Sequence, residues 1–306
     1  MRTLRFVALG DSLTEGVGDP APGGARGWAA LLAGGLRAAP GRVEFANLAV
    51  SGARVRDVLH RQTPAGLGLR PDLVSVAVGV NDTLRGSFDI HEVADGLDRI
   101  HAAFTDQGAT LLTLCLPDPG TLLGLPAALA RPLARRQRAV NAVTHALSDR
   151  YGAVHLHAHE GAWLTDPALR SADRLHPGER GHRHLAARCH AVLARAGLAT
   201  GAPPSPDPEH PAPTRAARLW WLATAGTGWV ARRCTDLLPG LLSLAAEETR
   251  HGTGAELDAR ASAETAGALA ALSSVRPWPA PRTAVRRVPV RRTGSDPVHP
   301  IRSPAP

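Results

Sequence analysis

Lysine is missing from this 306-residue chain, so all 35 of its permanently basic side chains are arginine. These arginines are scattered rather than striped along one face. The formal charge of +8 therefore reads as arginine-for-lysine coding bias and not as a nucleic-acid-binding surface. Aromatic residues make up only 4% of the chain, which leaves Ala, Leu and Val to build the core. Cysteine is scarce too. Cys115, Cys189 and Cys234 are odd in number and far apart, and without CxxC or CxxxH spacing they suggest neither a disulfide framework nor a zinc site. No run reaches the roughly 18–20 apolar residues of a membrane-spanning helix. Met1–Arg5 leads directly into a short apolar strand, with no signal-peptide core or small-residue cleavage site. The expected location is the cytoplasm.

Up to about Gly201 the sequence alternates between short apolar runs and longer helix-like segments. Strands are expected at Leu4–Leu9, Val43–Val50, Leu73–Val78, Thr110–Leu116 and Val154–Leu156. They are apolar almost throughout, as strands covered on both faces of a parallel sheet are. Helices are expected at Arg26–Leu36, Val55–Gln62, Ile90–Phe104, Pro126–Arg150 and Gly178–Ala196. In the third of these, Val93, Leu97, Ile100 and Phe104 share one face. Alternating strands and helices imply right-handed crossovers and a three-layer α/β/α sandwich.

Residues 1–200 are thus expected to form one α/β domain. A Pro-rich linker follows at 201–213, opening with Ala202-Pro203-Pro204-Ser205-Pro206-Asp207-Pro208. Residues 214–250 read as an apolar helical segment broken by Gly226, Gly228, Pro239 and Gly240. Residues 251–306, rich in Pro and Arg toward the end, are expected to be disordered. Trp220, Trp221 and Trp229, flanked by Arg215, Arg218, Arg232 and Arg233, suit either packing on the domain or contact with a membrane surface.

Open α/β sheets place their sites at the carboxyl ends of the strands, and polar clusters stand at the matching positions here. After the first strand comes Gly10-Asp11-Ser12-Leu13, after the second Val50-Ser51-Gly52, after the third Gly79-Val80-Asn81-Asp82, and before the last helix Asp173-Arg174-Leu175-His176-Pro177. Together they carry what acyl transfer needs. A serine hydroxyl attacks only when a base takes its proton. His176 is the candidate base, with Asp173 close enough to orient its imidazole. The Ser12 and Gly52 N–H groups and the Asn81 amide are candidate oxyanion donors. Gly10, Asp11, Gly79 and Asp82 are candidates for ordering the site, with Gly52 and Gly79 allowing close backbone approach.

These four clusters resemble the four blocks of the SGNH (GDSL) hydrolases, in order, over roughly residues 4–196. The resemblance implies a flavodoxin-like five-stranded parallel sheet. It implies Ser12, Gly52, Asn81 and His176 as the residues that name the family, and Asp173 as the third member of a triad. The expected activity is serine-dependent hydrolysis of a carboxylic ester, with a small-molecule, lipid or sugar ester as substrate and no cofactor or metal. Acyl transfer to an alcohol or sugar through the same triad is one alternative. A catalytically silent binding module is another. The resemblance does not extend past residue 201.

Other features read more plainly. His155, His157 and His159 alternate and would share one face of an extended segment, but no partner for a metal site is visible in the sequence. His182, His184 and His190 on the last helix, and Arg131, Arg135, Arg136 and Arg138 on the fourth, read mostly as solvated. Cys115 reads as core. Leu122, Leu123 and Leu125 suggest an apolar wall for an acyl chain.

Overall fold

The apolar runs pair side by side and all in one direction. The computed structural model describes residues 3–22, 24–37, 40–161, 165–210, 240, 242–246, 248, 250 and 254–275. Its central sheet has five parallel strands. These are β1 (Leu4–Gly10), β4 (Val43–Asn47), β5 (Leu73–Ala77), β6 (Thr110–Cys115) and β7 (Val154–His157), in the order β4-β1-β5-β6-β7. Phe6, in the middle of β1, pairs with Phe45 on one side and Leu73 on the other. A small antiparallel pair, β2 (Pro20–Ala21) and β3 (Gly24–Ala25), lies in the loop after β1.

Two apolar layers cover the sheet. On one face α2 (Gly27–Gly35) packs against α9 (Glu179–Arg195), with Trp28, Leu32, Leu185 and Cys189 buried between them and the strands. On the other, α6 (Ile90–Asp106) and α8 (Ala127–Tyr151) cover Val74 and Val76 with Leu97, Ile100, Val140 and Val143. The face expected on α6 is the buried one, and Asp89 caps its start by accepting the His91 N–H at 2.7 Å. The helix expected at Val55–Gln62 begins as α3 (Val55–Asp57), widens into a π-turn over Val58–Gln62, and continues as α4 (Thr63–Gly68). Short α1 (Ser12–Glu15), α5 (Val80–Thr83) and α7 (Pro119–Leu123) sit at strand ends.

Three expectations are corrected. Disorder over 251–306 does not hold throughout. Gly254–Val275 forms α10, which packs on α6 and α8 and buries Ala268 and Leu272. Its alanine-rich sequence is a strong helix former, and the partly buried Leu269 adds to its contact with the core. The arginines of α8 form a solvated face only in part, with Arg131 and Arg138 exposed and Arg135 and Arg136 half-buried. Arg135 pairs with Glu248 and Asp258, Arg138 also reaches Asp258, and Arg136 donates to the Thr83 and Arg85 carbonyls. His182 and His190 are buried, not solvated. The Pro-rich stretch has an ordered part, since Glu209 accepts from Arg26 and Arg183 at 2.6 Å each. Trp220, Trp221, Trp229 and most of the 214–250 segment lie outside the described residues, as does everything after Val275. Among the described residues no helix is long and apolar enough to cross a membrane.

His182 ties three elements together. Its Nδ1 accepts the Trp28 N–H at 3.1 Å and its Nε2 donates to the Val17 carbonyl at 2.9 Å. Accepting at Nδ1 requires the neutral ring, and burial pushes its pKa down to about 4. In the unfolded chain the ring protonates near the ordinary histidine value. Its contribution is therefore present above that value and is lost as pH falls toward 4. Urea unfolding from pH 7 to pH 4 is expected to show a smaller loss of stability for His182→Gln than for the parent. Equal slopes would remove His182 as a source of acid sensitivity. For α10, Leu272→Ala is expected to lower stability by about 2 kcal/mol. A loss below about 0.5 kcal/mol, ordinary for a surface site, would mean that the helix is not docked.

Candidate active site

Strand β1 hands the chain to a tight turn. Gly10 holds φ +154°, and a side chain there would strike the Ala77 carbonyl at 2.4 Å and the Thr14 hydroxyl at 2.7 Å. Asp11 then caps α1 by accepting the Leu13 N–H at 3.1 Å. Ser12 is the first residue of that helix, where an amide has no intrahelical acceptor. Its hydroxyl therefore stands at the carboxyl edge of the sheet, between β1 and β5. There the chain order switches direction, the usual place for a site in this architecture.

The late loop reaches the same place. Ser12 Oγ lies 2.7 Å from His176 Nε2, and His176 Nδ1 lies 2.6 Å from Asp173 Oδ2. His176 is 8% exposed, so its ring is shielded on most sides yet open toward Ser12. The other Asp173 oxygen accepts the Ser171 hydroxyl at 2.5 Å and the Leu175 and His176 N–H groups at 3.0 Å. Burial pushes the Asp173 carboxyl up. The His176 hydrogen bond and charge and the other donors outweigh burial and hold it below the usual carboxylate range. Arg174, between the two, adopts a left-handed φ of 62°, which a non-glycine residue takes only when its surroundings hold it.

The remaining sequence candidates converge as a supporting network. Asn81 Nδ2 donates to Asp11 Oδ2 and to the Ala53 carbonyl, each at 3.1 Å. Both amide hydrogens are thus engaged in this arrangement. Asp82 accepts the Val55 N–H with both oxygens, at 3.1 and 3.3 Å. Burial raises Asp82 to about 7 and Asp11 to about 6. Gly52, at φ +81°, lies in the loop after β4, where an added side chain would meet open space. Gly79 differs from its expected role, because its missing side chain leaves room for Val140 of α8 at 2.6 Å rather than for a substrate.

Several supporting residues were not identified from sequence. Gln62, buried in the π-turn, grips the Gly10 backbone with both ends of its amide, accepting the N–H at 2.9 Å and donating to the carbonyl at 2.8 Å. Glu15 accepts the Ser51 N–H at 2.8 Å and the Ser51 hydroxyl, which holds the Ser51-Gly52 turn beside α1. Asn141 binds both the N–H and the carbonyl of Leu116, at 2.9 and 2.7 Å. Only Ser171, two residues before Asp173, carried a local signal, since short Ser-x-Asp spacing favours such a bond.

Beside Ser12 and His176 opens a cleft walled by Leu84, Leu116, Pro117, Pro119, Leu122 and Leu175. Of the three leucines expected in that wall, Leu122 lines it. Leu125 instead packs against Leu84 and Leu133. The five catalytic and oxyanion candidates thus gather at one sheet edge. His155 and His157 of the outer strand β7, and His159 just after it, lie beyond β6 and take no part.

Comparison with known proteins agrees with this architecture. An acetyl xylan esterase variant from Geobacillus stearothermophilus is 21% identical, covers 65% of this chain and 97% of its own, and superposes with a TM-score of 0.52. TesA is 22% identical over 62% of this chain and 98% of its own, with a TM-score of 0.51. A lipase/acylhydrolase from Enterococcus faecalis is 20% identical over 65% of this chain and 98% of its own, with a TM-score of 0.50. At these identities the likeness is one of fold. No curated protein matches. The sequence pattern of the GDSL-like lipase/acylhydrolase family matches residues 8–184, which include all four polar clusters, and the chain belongs to that family.

Proposed function

We propose that the protein hydrolyses carboxylic esters through an acyl-enzyme on Ser12. The observation that carries this reading is the continuous chain of short contacts from Ser12 Oγ through the His176 ring to Asp173, at 2.7 and 2.6 Å. Ser12 Oγ attacks the ester carbonyl as its proton passes to His176 Nε2, and a tetrahedral oxyanion forms. His176 returns that proton to the departing alcohol as the carbon–oxygen bond breaks, leaving the acyl group on Ser12. Water then enters, gives its proton to His176, and attacks the acyl carbon. Collapse releases the acid and restores the serine. Asp173, held ionised by its donors, fixes the ring tautomer and stabilises the imidazolium.

The oxyanion would be met by the Ser12 and Gly52 N–H groups and by Asn81. Asn81 reaches it by turning one N–H away from Asp11 or Ala53, so part of its stabilisation appears only as charge develops. The apolar cleft walls favour a linear acyl chain over a bare acetyl group as the acid part of the substrate.

Steady-state hydrolysis of p-nitrophenyl esters from acetate to palmitate tests this reading. Activity is expected with the parent chain, with kcat/KM rising beyond acetate, and nearly all of it is expected to vanish in Ser12→Ala. Retained turnover in that variant would refute the acyl-enzyme. Asn81→Ala is expected to lower kcat by about 10² to 10³, the loss typical of one oxyanion donor, and Asp173→Asn by about 10⁴ through the wrong tautomer. If Asn81→Ala raised only KM, Asn81 would be a binding group rather than an oxyanion donor.

A further inference from the structure

The outer edge of the sheet carries a second cluster that ester hydrolysis leaves unused. His155, His157 and His159 alternate along β7 and the residues just after it, so their side chains share one face. The rings of His155 and His157 lie 4.8 Å apart, and those of His157 and His159 5.6 Å apart. His145 of α8 stacks beside them, 5.3 Å from both His155 and His157. The sequence offered no partner for these rings, but the sheet supplies one. Parallel pairing of β6 with β7 sets Cys115 opposite His157. One ligand atom each from Cys115, His157 and His159 all lie within 4.8 Å of one another.

We propose that Cys115, His157 and His159 bind a zinc ion, with the imidazoles of His155 and His145 beside them. Zinc–nitrogen and zinc–sulfur bonds of about 2.0–2.3 Å put tetrahedral ligand atoms roughly 3.3–3.6 Å apart. Binding therefore draws the three side chains together from their present spacing, which is within 4.8 Å. Thiolate and imidazole together select a borderline or soft ion over magnesium or calcium.

His159 Nδ1 is shielded from solvent with no hydrogen-bond partner among the described residues. His155 is placed to support the thiol. Its Nε2 lies 3.1 Å from Cys115 Sγ, while its Nδ1 lies 2.9 Å from the Thr113 hydroxyl and 3.1 Å from the Ser148 hydroxyl. That is how a residue behind a metal ligand fixes the ligand's orientation.

The surrounding charges are mixed. Glu160 lies 3.4 Å from His159 and Asp149 3.8 Å from His145. Arg188 donates to the carbonyls of His157 and Glu160. Each zinc ion bound displaces the Cys115 thiol proton to solvent. Cys115 leads directly into Leu116 and Pro117 of the substrate cleft. A metal here would brace that wall without touching the reacting atoms.

The full chain, free of any affinity tag and stripped with a chelator, is titrated with Zn²⁺ by calorimetry and with Co²⁺ by absorption spectroscopy. One ion per chain is expected, with micromolar or tighter affinity, a thiolate-to-cobalt charge-transfer band and a higher Tm with Zn²⁺. Cys115→Ser is expected to abolish the band. His157→Ala and His159→Ala, at partly exposed positions that do not threaten folding, are each expected to weaken zinc binding tenfold or more. His60→Ala, outside the cluster, is expected to leave it unchanged. Only millimolar binding, or equal affinity in the cluster variants and the parent, would overturn the proposal.

Discussion

The 2.7 Å contact between Ser12 and His176 joins two points separated by 164 positions in the chain. Neither residue is chemically unusual alone. A serine at a helix start is ordinarily part of a turn, and an isolated histidine carries no activated nucleophile. Their meeting depends on β1 and the loop before α9 ending at the same edge of the sheet. That in turn follows from parallel pairing, which puts every strand's carboxyl end on one side. The arrangement therefore rests on sheet topology before it rests on any single side chain.

Much of the surrounding hydrogen bonding holds that contact in place. Gln62 fixes the last residue of β1, Asp11 caps the turn that follows, and Glu15 anchors the neighbouring Ser51. On the other side Asp173 gathers four donors, and His182 links α9 to the segment just after α1 through Val17. Burying Asp11 and Asp82 opposes ionisation of both and is the unfavourable part of the design. Both accept backbone N–H groups that would otherwise be unpaired, which offsets the loss.

The sheet was legible because covered parallel strands are largely apolar, and Leu73–Ala77 and Leu4–Gly10, interrupted only by Ser75 and Arg5, read that way. Ser12, Asn81, Asp173 and His176 were legible because each lies just past an element boundary in a short polar cluster. Gln62 was not. A buried glutamine whose partner is a backbone 52 residues away leaves no local pattern, and the π-turn that aims it has no sequence signature. Helix α10 was obscured by its position between a Pro-rich linker and an Arg/Pro-rich tail, although its alanines favour a helix. His182 and His190 were misread because histidine on an amphipathic helix fits either face. The partner of His157 became visible only with strand register, since Cys115 is 42 positions away and pairs with it only once β6 and β7 align.

The central claim is that folding turns Ser12 into a nucleophile by placing His176 against it. Reaction of the full chain with a fluorophosphonate, followed by peptide mass spectrometry, tests this most directly. The account predicts a single covalent adduct on Ser12, formed rapidly in the parent and strongly slowed in His176→Ala. No adduct under conditions where the chain is folded, or equal labelling rates with and without His176, would contradict it.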